Sequence, residues 1–120
     1  MTPGEATAYL TTYLAHARNG EWEAAWQMLS DEQRARSGSL AGLRGNTLAG
    51  GVVVAVEPFL DWETTANWLR NVATADRART WVISVSYQTA SDQDNSMWEM
   101  YAVGPDANGV VGIWGDLRGY

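Results

Sequence analysis

The spacing of hydrophobic and polar residues divides this chain into a helical opening and a strand-rich remainder. Up to about residue 36, apolar side chains recur every three or four positions, which is the spacing of one face of an α-helix. From residue 81 onward apolar and polar side chains alternate, as in strands with one buried and one solvated face. The pattern predicts an α+β fold in which N-terminal helices pack on a bent antiparallel sheet.

The first helix is predicted to begin at Pro3 and to end near Gly20. Thr2 is a favoured capping residue, Pro3 suits the first helical turn, and Glu5 is placed to complete a capping box. The Asn-Gly pair at the end supplies a residue that tolerates positive φ. The buried face of this helix is predicted to consist of Tyr9, Leu10, Tyr13, Leu14 and Ala17.

Two shorter helices are predicted to follow the first. Trp22, Trp26 and Leu29 lie on one helical face, which favours a role for both tryptophans in core packing. Ser30 then begins a second capping sequence, which predicts a short helix that extends to about Arg36.

Two connecting segments have weaker patterns. Residues 37–51 contain five of the twelve glycines, so we predict a loop with one helical turn at 39–44. The residues after Asp61 fit either a helix over 62–74 or a strand in which Trp68 begins the alternation. We favour the helix. Asp61 could cap it, and this residue is better explained as a helix cap than as a catalytic residue.

Four strands are predicted in the second half of the chain. The polar residues 91–95 predict one turn, and Asp106–Gly109 has the composition of a hairpin turn. The strands are Val52–Leu60, ended by Pro58 or soon after, Trp81–Gln88, Met97–Val103, and Val110–Trp114 with an extension toward Leu117.

Composition narrows the chemistry that this chain can perform. Its 120 residues, 46% hydrophobic and 18% charged, are typical of a single folded domain over residues 1–120. The absence of cysteine excludes disulfides, thiolate nucleophiles and cysteine metal sites. His16 is the only histidine, which excludes an imidazole-rich metal site. We therefore expect neither a metal nor a cofactor.

The charge balance excludes one class of partner. A net charge of −6 argues against binding to nucleic acid, which requires clustered lysine and arginine. No apolar run approaches the ~20 residues of a membrane-spanning helix, so no membrane insertion is expected. The C-terminal third carries Arg118 and five carboxylates, which are Asp92, Asp94, Glu99, Asp106 and Asp116.

Two segments of the chain resemble the NTF2-like superfamily, whose α+β fold is cone-shaped. The segment YLTTYLAHARNGEWEAAWQMLSDEQRAR is similar to the helical opening of that family, and NGVVGIWGDLRGY is similar to its last hairpin strand. The resemblance covers nearly the whole chain and implies a bent sheet around a long N-terminal helix. Members include isomerases, cyclases, epoxide hydrolases, transport factors and non-catalytic extracytoplasmic domains, so the fold alone does not assign a function.

Three residues are candidates for acid–base catalysis. Glu99 lies in an otherwise apolar strand, where burial would raise its pKa, unless strand parity points it to solvent. Asp116 lies near the end of the last strand, where enzymes of the family sometimes carry an acid; the alternative is a solvated aspartate beside Arg118. His16 is the only conventional base, and its place beside Tyr13 favours a hydrogen-bonded residue at the helix edge.

Aromatic residues are candidates for binding a ligand. The chain has seven tryptophans and one phenylalanine, and three of the tryptophans come from successive strands. Cross-strand packing explains these three without a ligand, whereas the concave face of a cone would let them bind a flat apolar molecule. The predicted ligand-binding residues are Tyr13, Trp81, Trp98, Tyr101 and Trp114.

These observations favour a non-catalytic accessory domain that binds a small apolar molecule or a protein partner. The alternative is an isomerase, cyclase or epoxide-opening enzyme that uses Glu99 or Asp116 with a tyrosine. A third hypothesis is an acidic inhibitor of a basic protein. A homodimer is compatible with each of them. We expect an extracytoplasmic location if the chain is part of a longer secreted protein, and a cytoplasmic one otherwise.

Overall fold

The computed structural model describes residues 1–46, 52–89 and 92–119, and these form five helices and four strands. The helices are α1 (Pro3–Arg18), α2 (Trp22–Met28), α3 (Asp31–Ser37), α4 (Leu40–Asn46) and α5 (Trp62–Leu69). The strands are β1 (Val52–Pro58), β2 (Trp81–Thr89), β3 (Asp92–Pro105) and β4 (Val111–Gly115), with short 3-10 turns at Arg77–Arg79 and Leu117–Gly119.

The strands form one antiparallel sheet in the order β1-β2-β3-β4. The predicted α+β fold, with N-terminal helices and an antiparallel sheet, is confirmed. Within the described residues, no helix is both long and apolar enough to cross a bilayer.

The start of α1 follows the predicted capping chemistry. The Thr2 hydroxyl accepts a hydrogen bond from the Glu5 N–H at 3.1 Å, and the Glu5 carboxylate accepts one from the Thr2 N–H at 3.0 Å. Gly20 follows the helix with a φ of +75°. The two caps therefore fix both the position and the length of α1.

The inner face of the sheet, which we define as the face toward α1, carries the main core. The buried stripe of α1 packs there against Ile83 and Val85 of β2, with Trp81 at the margin of the cluster. This contact was predicted from the alternation of residues 81–88, and it is confirmed. Since α1 covers this face, polar side chains on it are removed from water.

The outer face of the sheet carries a second core beneath α5. Val82, Met100 and Trp114 point to this side and pack against Leu69 and Val72. The sheet is thus buried on both faces along the middle of β3. Double burial explains why Met100–Val103 is apolar at both parities.

The helix predicted over 62–74 is shorter than expected. Asp61 caps α5 by accepting from the N–H groups of Glu63 and Thr64, as predicted. The helix ends at Leu69, however, and the N–H groups of Ala73 and Thr74 donate to the Glu32 carboxylate. A contact 41 residues away in sequence therefore takes donors that a longer helix would have used internally.

The predicted polar turn at 91–95 is also corrected. Strand β3 begins at Asp92, and its first residues pair with the end of β2 through Thr89↔Asp92 and Gln88↔Ser96. Residues 90 and 91 lie outside the described residues. Pairing with the backbone of β2 satisfies the hydrogen-bonding groups of this polar segment, so its composition does not prevent strand formation. At the other end, Gly109 closes the predicted hairpin with a φ of +82°.

Candidate functional site

Glu99 lies on the inner face of the sheet and is 2% exposed. It pairs with Val85 of β2, so the alternation of β3 places it on the same face as Tyr101. The interpretation in which parity turns Glu99 to solvent is therefore wrong, because the face that it occupies is covered by α1. The structure places a carboxyl group within the main core.

Three tyrosines accompany this carboxyl group, and we call the four residues the tyrosine–glutamate centre. Tyr101 donates a hydrogen bond from its hydroxyl to Glu99 Oε1 at 3.1 Å. The ring of Tyr13, from α1, meets the Tyr101 ring edge-on with centroids 6.0 Å apart. Tyr87 reaches the same region from β2. The centre thus joins α1, β2 and β3.

Burial raises the pKa of the Glu99 carboxyl. The hydroxyls of Tyr87 and Tyr101 offset part of this increase by stabilising the carboxylate, Tyr101 through a hydrogen bond of normal geometry and Tyr87 through a weaker polar contact. The nearby charges of Asp116 and Arg118 act in opposite directions, the first raising and the second lowering the pKa of Glu99. Burial prevails, so the neutral acid is favoured to higher pH than in an ordinary glutamate.

The Tyr87 hydroxyl is buried without a hydrogen bond of normal geometry. Burial, followed by the charge of Glu99, raises the pKa of Tyr87, and the same two causes raise that of Tyr101. Both phenols therefore remain protonated and able to donate. The polar contact of Tyr87 with Glu99 is weaker than that of Tyr101, which makes Tyr87 the least satisfied member of the centre.

A glycine of β4 gives Tyr101 the space to reach Glu99. Gly115 pairs with Tyr101 across the sheet, and a Cβ atom at Gly115 would overlap the Tyr101 ring. The Gly115 N–H donates to the Gln33 side chain of α3 at 2.9 Å, which fixes this part of β4. The position of the tyrosine ring thus depends on a residue without a side chain.

Asp116 lies at the end of β4 and pairs with Arg118, as one of the two interpretations predicts. Its carboxylate accepts from the Arg118 side chain at 2.8 Å and 2.9 Å, and from the Met100 N–H at 3.0 Å. These contacts hold the C-terminal turn against β3. Asp116 acts on Glu99 through its charge, and its described hydrogen bonds go to residues outside the tyrosine–glutamate centre.

His16 is bonded at the edge of α1, as expected for a structural residue. Its Nδ1 atom lies 3.2 Å from a carboxylate oxygen of Glu21, just after the helix. The described partner of His16 is therefore outside the tyrosine–glutamate centre.

The three strand tryptophans lie on two different faces of the sheet. Trp81 is on the inner side, where its indole N–H donates to the Met1 carbonyl at 3.0 Å. Trp98 and Trp114 are on the outer side, because one residue along a strand reverses the direction of the side chain. The structure thus brings together Tyr13 and Tyr101 of the predicted ligand-binding set, but it does not place the three tryptophans on one surface.

Glu32 is an anchoring residue that the sequence analysis did not identify. Its Oε1 atom accepts hydrogen bonds from the Trp114 indole at 3.0 Å and from the Thr74 hydroxyl at 2.6 Å. Burial raises the pKa of Glu32, but these bonds and those from the Ala73 and Thr74 N–H groups outweigh it, and the net change is a lowering. In the sequence Glu32 is only an acid in the first turn of a predicted helix, so nothing there indicates its distant partners.

The other tryptophans have structural contacts. Trp22 and Trp26 are partly buried against the main core, which confirms their packing role in part. Trp26 also lines an open cleft of about 430 Å³ with Leu40 of α4. On the outer face, Trp98 meets Trp68 edge-on with centroids 6.0 Å apart, and the Arg118 guanidinium lies 4.7 Å from its ring centroid.

The side chains described here do not form a group of three or more potential metal ligands. Comparison with protein-family models, curated proteins and solved structures gives no match. The geometry of the tyrosine–glutamate centre is therefore the basis for assigning a function.

Proposed function

We propose that this chain is a binding domain for a flat, apolar small molecule that carries one oxygen atom. The oxygen would bind in the tyrosine–glutamate centre, where it would accept a hydrogen bond from Tyr87. The observation that carries the proposal is the buried Tyr87 hydroxyl, which lies beside Glu99 but makes no hydrogen bond of normal geometry. A ligand oxygen would supply an acceptor of normal geometry.

The surroundings of Tyr87 support an apolar ligand with a small polar group. The centre is enclosed by side chains of the main core, among them Ile83 and Val85. Polar recognition would be confined to Tyr87 and Glu99, an arrangement typical of small-molecule sites, in which a few polar groups orient a mostly apolar ligand. Because α1 covers the centre, the ligand would have to displace α1 or core side chains in order to enter.

Acid–base catalysis by Glu99 is the second candidate function. The raised pKa of Glu99 and its bond to Tyr101 support it, because general acids and bases are often tuned by burial toward neutral pH. In this reaction the Glu99 carboxylate would remove a proton from the carbon next to a ligand carbonyl. The C–H electron pair would move into an enolate, which Tyr87 would stabilise before the proton returned from the Glu99 acid.

We further propose the NTF2-like cone and an accessory role for this domain. The helical opening, the antiparallel sheet and a polar centre beneath a long N-terminal helix support that assignment. An extracytoplasmic location belongs to the same proposal.

The binding proposal is tested with a matched pair of bicyclic probes, 2-naphthol and naphthalene. The protein should bind 2-naphthol about fivefold more tightly, since one neutral hydrogen bond contributes about 1 kcal/mol. Tyr87→Phe should abolish this preference and leave naphthalene binding unchanged. Equal binding of the two probes by the unmodified protein, or a preference that survives in Tyr87→Phe, would contradict the proposal.

Deuterium exchange distinguishes binding from catalysis. The bicyclic ketone 2-tetralone is incubated with the protein in D2O, and loss of its α-proton signals is followed by NMR. If 2-tetralone binds but its α-protons exchange no faster than without the protein, the result supports a domain that only binds its ligand. Accelerated exchange that is lost in Glu99→Gln supports the enzyme, because glutamine keeps the size of the side chain and cannot take up the proton.

A further inference from the structure

Two large apolar side chains are exposed close together where β1 leads into α5. Leu60 is 72% exposed and Trp62 is 58% exposed. They lie on either side of Asp61, within a segment from Glu57 to Glu63 that we call the β1–α5 corner. Single exposed apolar residues are common, but two within three positions, one of them a tryptophan, have the composition of the anchors found at protein interfaces.

The backbone of the β1–α5 corner is fixed on both sides of these side chains. The Phe59 N–H donates to the Val82 carbonyl at 2.8 Å, and the Phe59 ring packs on the second core. On the helical side, the Asp61 carboxylate caps α5, and the Thr65 hydroxyl donates to the Asp61 carbonyl at 2.9 Å. A fixed backbone lowers the entropy lost on binding, so Leu60 and Trp62 are preorganised for contact.

Three acidic residues belong to the same segment as the exposed apolar pair. Glu57, Asp61 and Glu63 are all exposed, and no ion pair involves them in the part of the chain that the structure describes. Hydrogen bonding from Thr64 lowers the pKa of Asp61, so this carboxylate stays charged well into the acidic range. The corner therefore combines an apolar anchor with unneutralised acids.

We infer that the β1–α5 corner binds a basic segment of a protein partner, in which an apolar side chain is flanked by arginine or lysine. The apolar side chain would pack on Leu60 and Trp62, and the cations would neutralise Glu57 and Glu63 or lie over the indole face of Trp62. A second copy of this chain is a poor occupant, because each copy carries a net charge of −6. This site is separate from the tyrosine–glutamate centre and does not depend on the ligand proposed there.

The probe is a short synthetic peptide in which leucine and arginine alternate, with a leucine–glutamate peptide as its charge-reversed control. Binding is followed by changes in the backbone NMR signals of the full chain. The leucine–arginine peptide should shift the signals of residues 57–63 saturably, and added salt should weaken binding. The charge-reversed peptide should leave these signals unchanged.

Matched variants distinguish specific binding at the β1–α5 corner from nonspecific binding to any exposed apolar side chain. Trp62→Ala should weaken binding of the leucine–arginine peptide about tenfold. Val110→Ala should have no effect, although Val110 is also strongly exposed, at the β3–β4 hairpin. The double variant Glu57→Gln, Glu63→Gln should weaken binding of the leucine–arginine peptide and reduce the salt dependence of that binding. Asp61 is left unchanged in this variant because it caps α5.

Three results would overturn the inference. The first is the absence of saturable shifts at residues 57–63 with the leucine–arginine peptide. The second is equal binding of the two peptides, or equal losses in Trp62→Ala and Val110→Ala. The third is a dimer in sedimentation equilibrium that Trp62→Ala dissociates, which would assign the corner to a second copy of this chain.

Discussion

The Tyr101 hydroxyl donates a hydrogen bond to Glu99 Oε1 at 3.1 Å inside the main core. Both residues belong to β3 and lie two positions apart, so they share the inner face of the sheet. The acceptor is a carboxyl group whose pKa is raised by burial, and the donor is a phenol whose own pKa is raised by burial. Both shifts arise from burial in the cluster to which α1 contributes, which links the polar centre to the packing of the first helix.

Tyr101→Phe removes the hydrogen bond that Glu99 receives. We expect the variant to lower the free energy of unfolding by about 1–3 kcal/mol, because a buried acceptor loses its donor. The pKa of Glu99 should rise further, since the Tyr101 hydroxyl stabilises the carboxylate. Urea unfolding measures the first effect, and an NMR titration of Glu99 measures the second.

Tyr9→Phe is a suitable control for Tyr101→Phe, since Tyr9 lies half-buried on the same helical stripe. It should change stability by less than about 0.5 kcal/mol. A similarly small loss in Tyr101→Phe would show that the bond to Glu99 does not stabilise the fold.

Tyr87→Phe should have the opposite effect on the protein without a ligand. The variant removes a buried hydroxyl that makes no hydrogen bond of normal geometry, and the cost of burying it should exceed its weak contact with Glu99, so the free energy of unfolding should increase by about 1 kcal/mol. Urea unfolding of the two proteins measures the difference. A loss of stability instead would show that the Tyr87 hydroxyl has a partner in the free protein, and it would remove the main support for a ligand at that position.

Gly115→Ala tests whether space at β4 positions the tyrosine ring. The added methyl group would overlap the Tyr101 ring, so the ring must move or the strands must separate. We expect a loss of about 1–3 kcal/mol, the usual cost of overpacking a core. NMR signals of Tyr101 and Glu99 should shift together. Gly109→Ala is unsuitable as a control, because the positive φ of Gly109 would add strain of its own.

Stability should depend on pH in opposite directions through Glu32 and Glu99. The folded pKa of Glu32 is lowered, so its contribution is present above the ordinary value of about 4.3 and is lost as the pH falls through the folded pKa. The folded pKa of Glu99 is raised, so stability decreases as the pH rises from that ordinary value through its folded pKa.

Urea unfolding over a range of pH tests both signs. Glu32→Gln should remove part of the stability loss on acidification, and Glu99→Gln should remove part of the loss on raising the pH. If both substitutions changed the pH dependence of the free energy of unfolding in the same direction, the lowered pKa of Glu32 and the raised pKa of Glu99 would be contradicted.

Local patterns were sufficient to predict much of the fold. The Thr2 and Glu5 capping box, the glycine after α1 and the Asp61 cap act within a few residues, so the sequence displays both partners of each interaction. The period of two in residues 81–88 likewise identified the face that α1 covers. Such interactions are readable because their geometry follows from residue spacing alone.

The contacts that join the candidate site to the other helices and strands are long-range, and the sequence shows only one partner at a time. Glu32 joins Thr74 and Trp114, which are distant in the chain, and it also accepts the Ala73 and Thr74 N–H groups that a longer α5 would have used internally. Tyr87 was visible as a member of a buried strand face, but no local signal showed that its hydroxyl would lie beside Glu99. Parity could not assign the direction of Glu99 either, because β3 is buried on both sides.

The most direct test of the tyrosine–glutamate centre is the pKa of the Glu99 carboxyl, measured by carbon NMR with and without 2-naphthol. The account predicts a value clearly above the ordinary ~4.3 in the free protein. It also predicts that saturating 2-naphthol shifts the Glu99 signal and changes its pKa, whereas Tyr87→Phe shows a much smaller response. An ordinary pKa that 2-naphthol leaves unchanged would contradict both the buried acid and the ligand site.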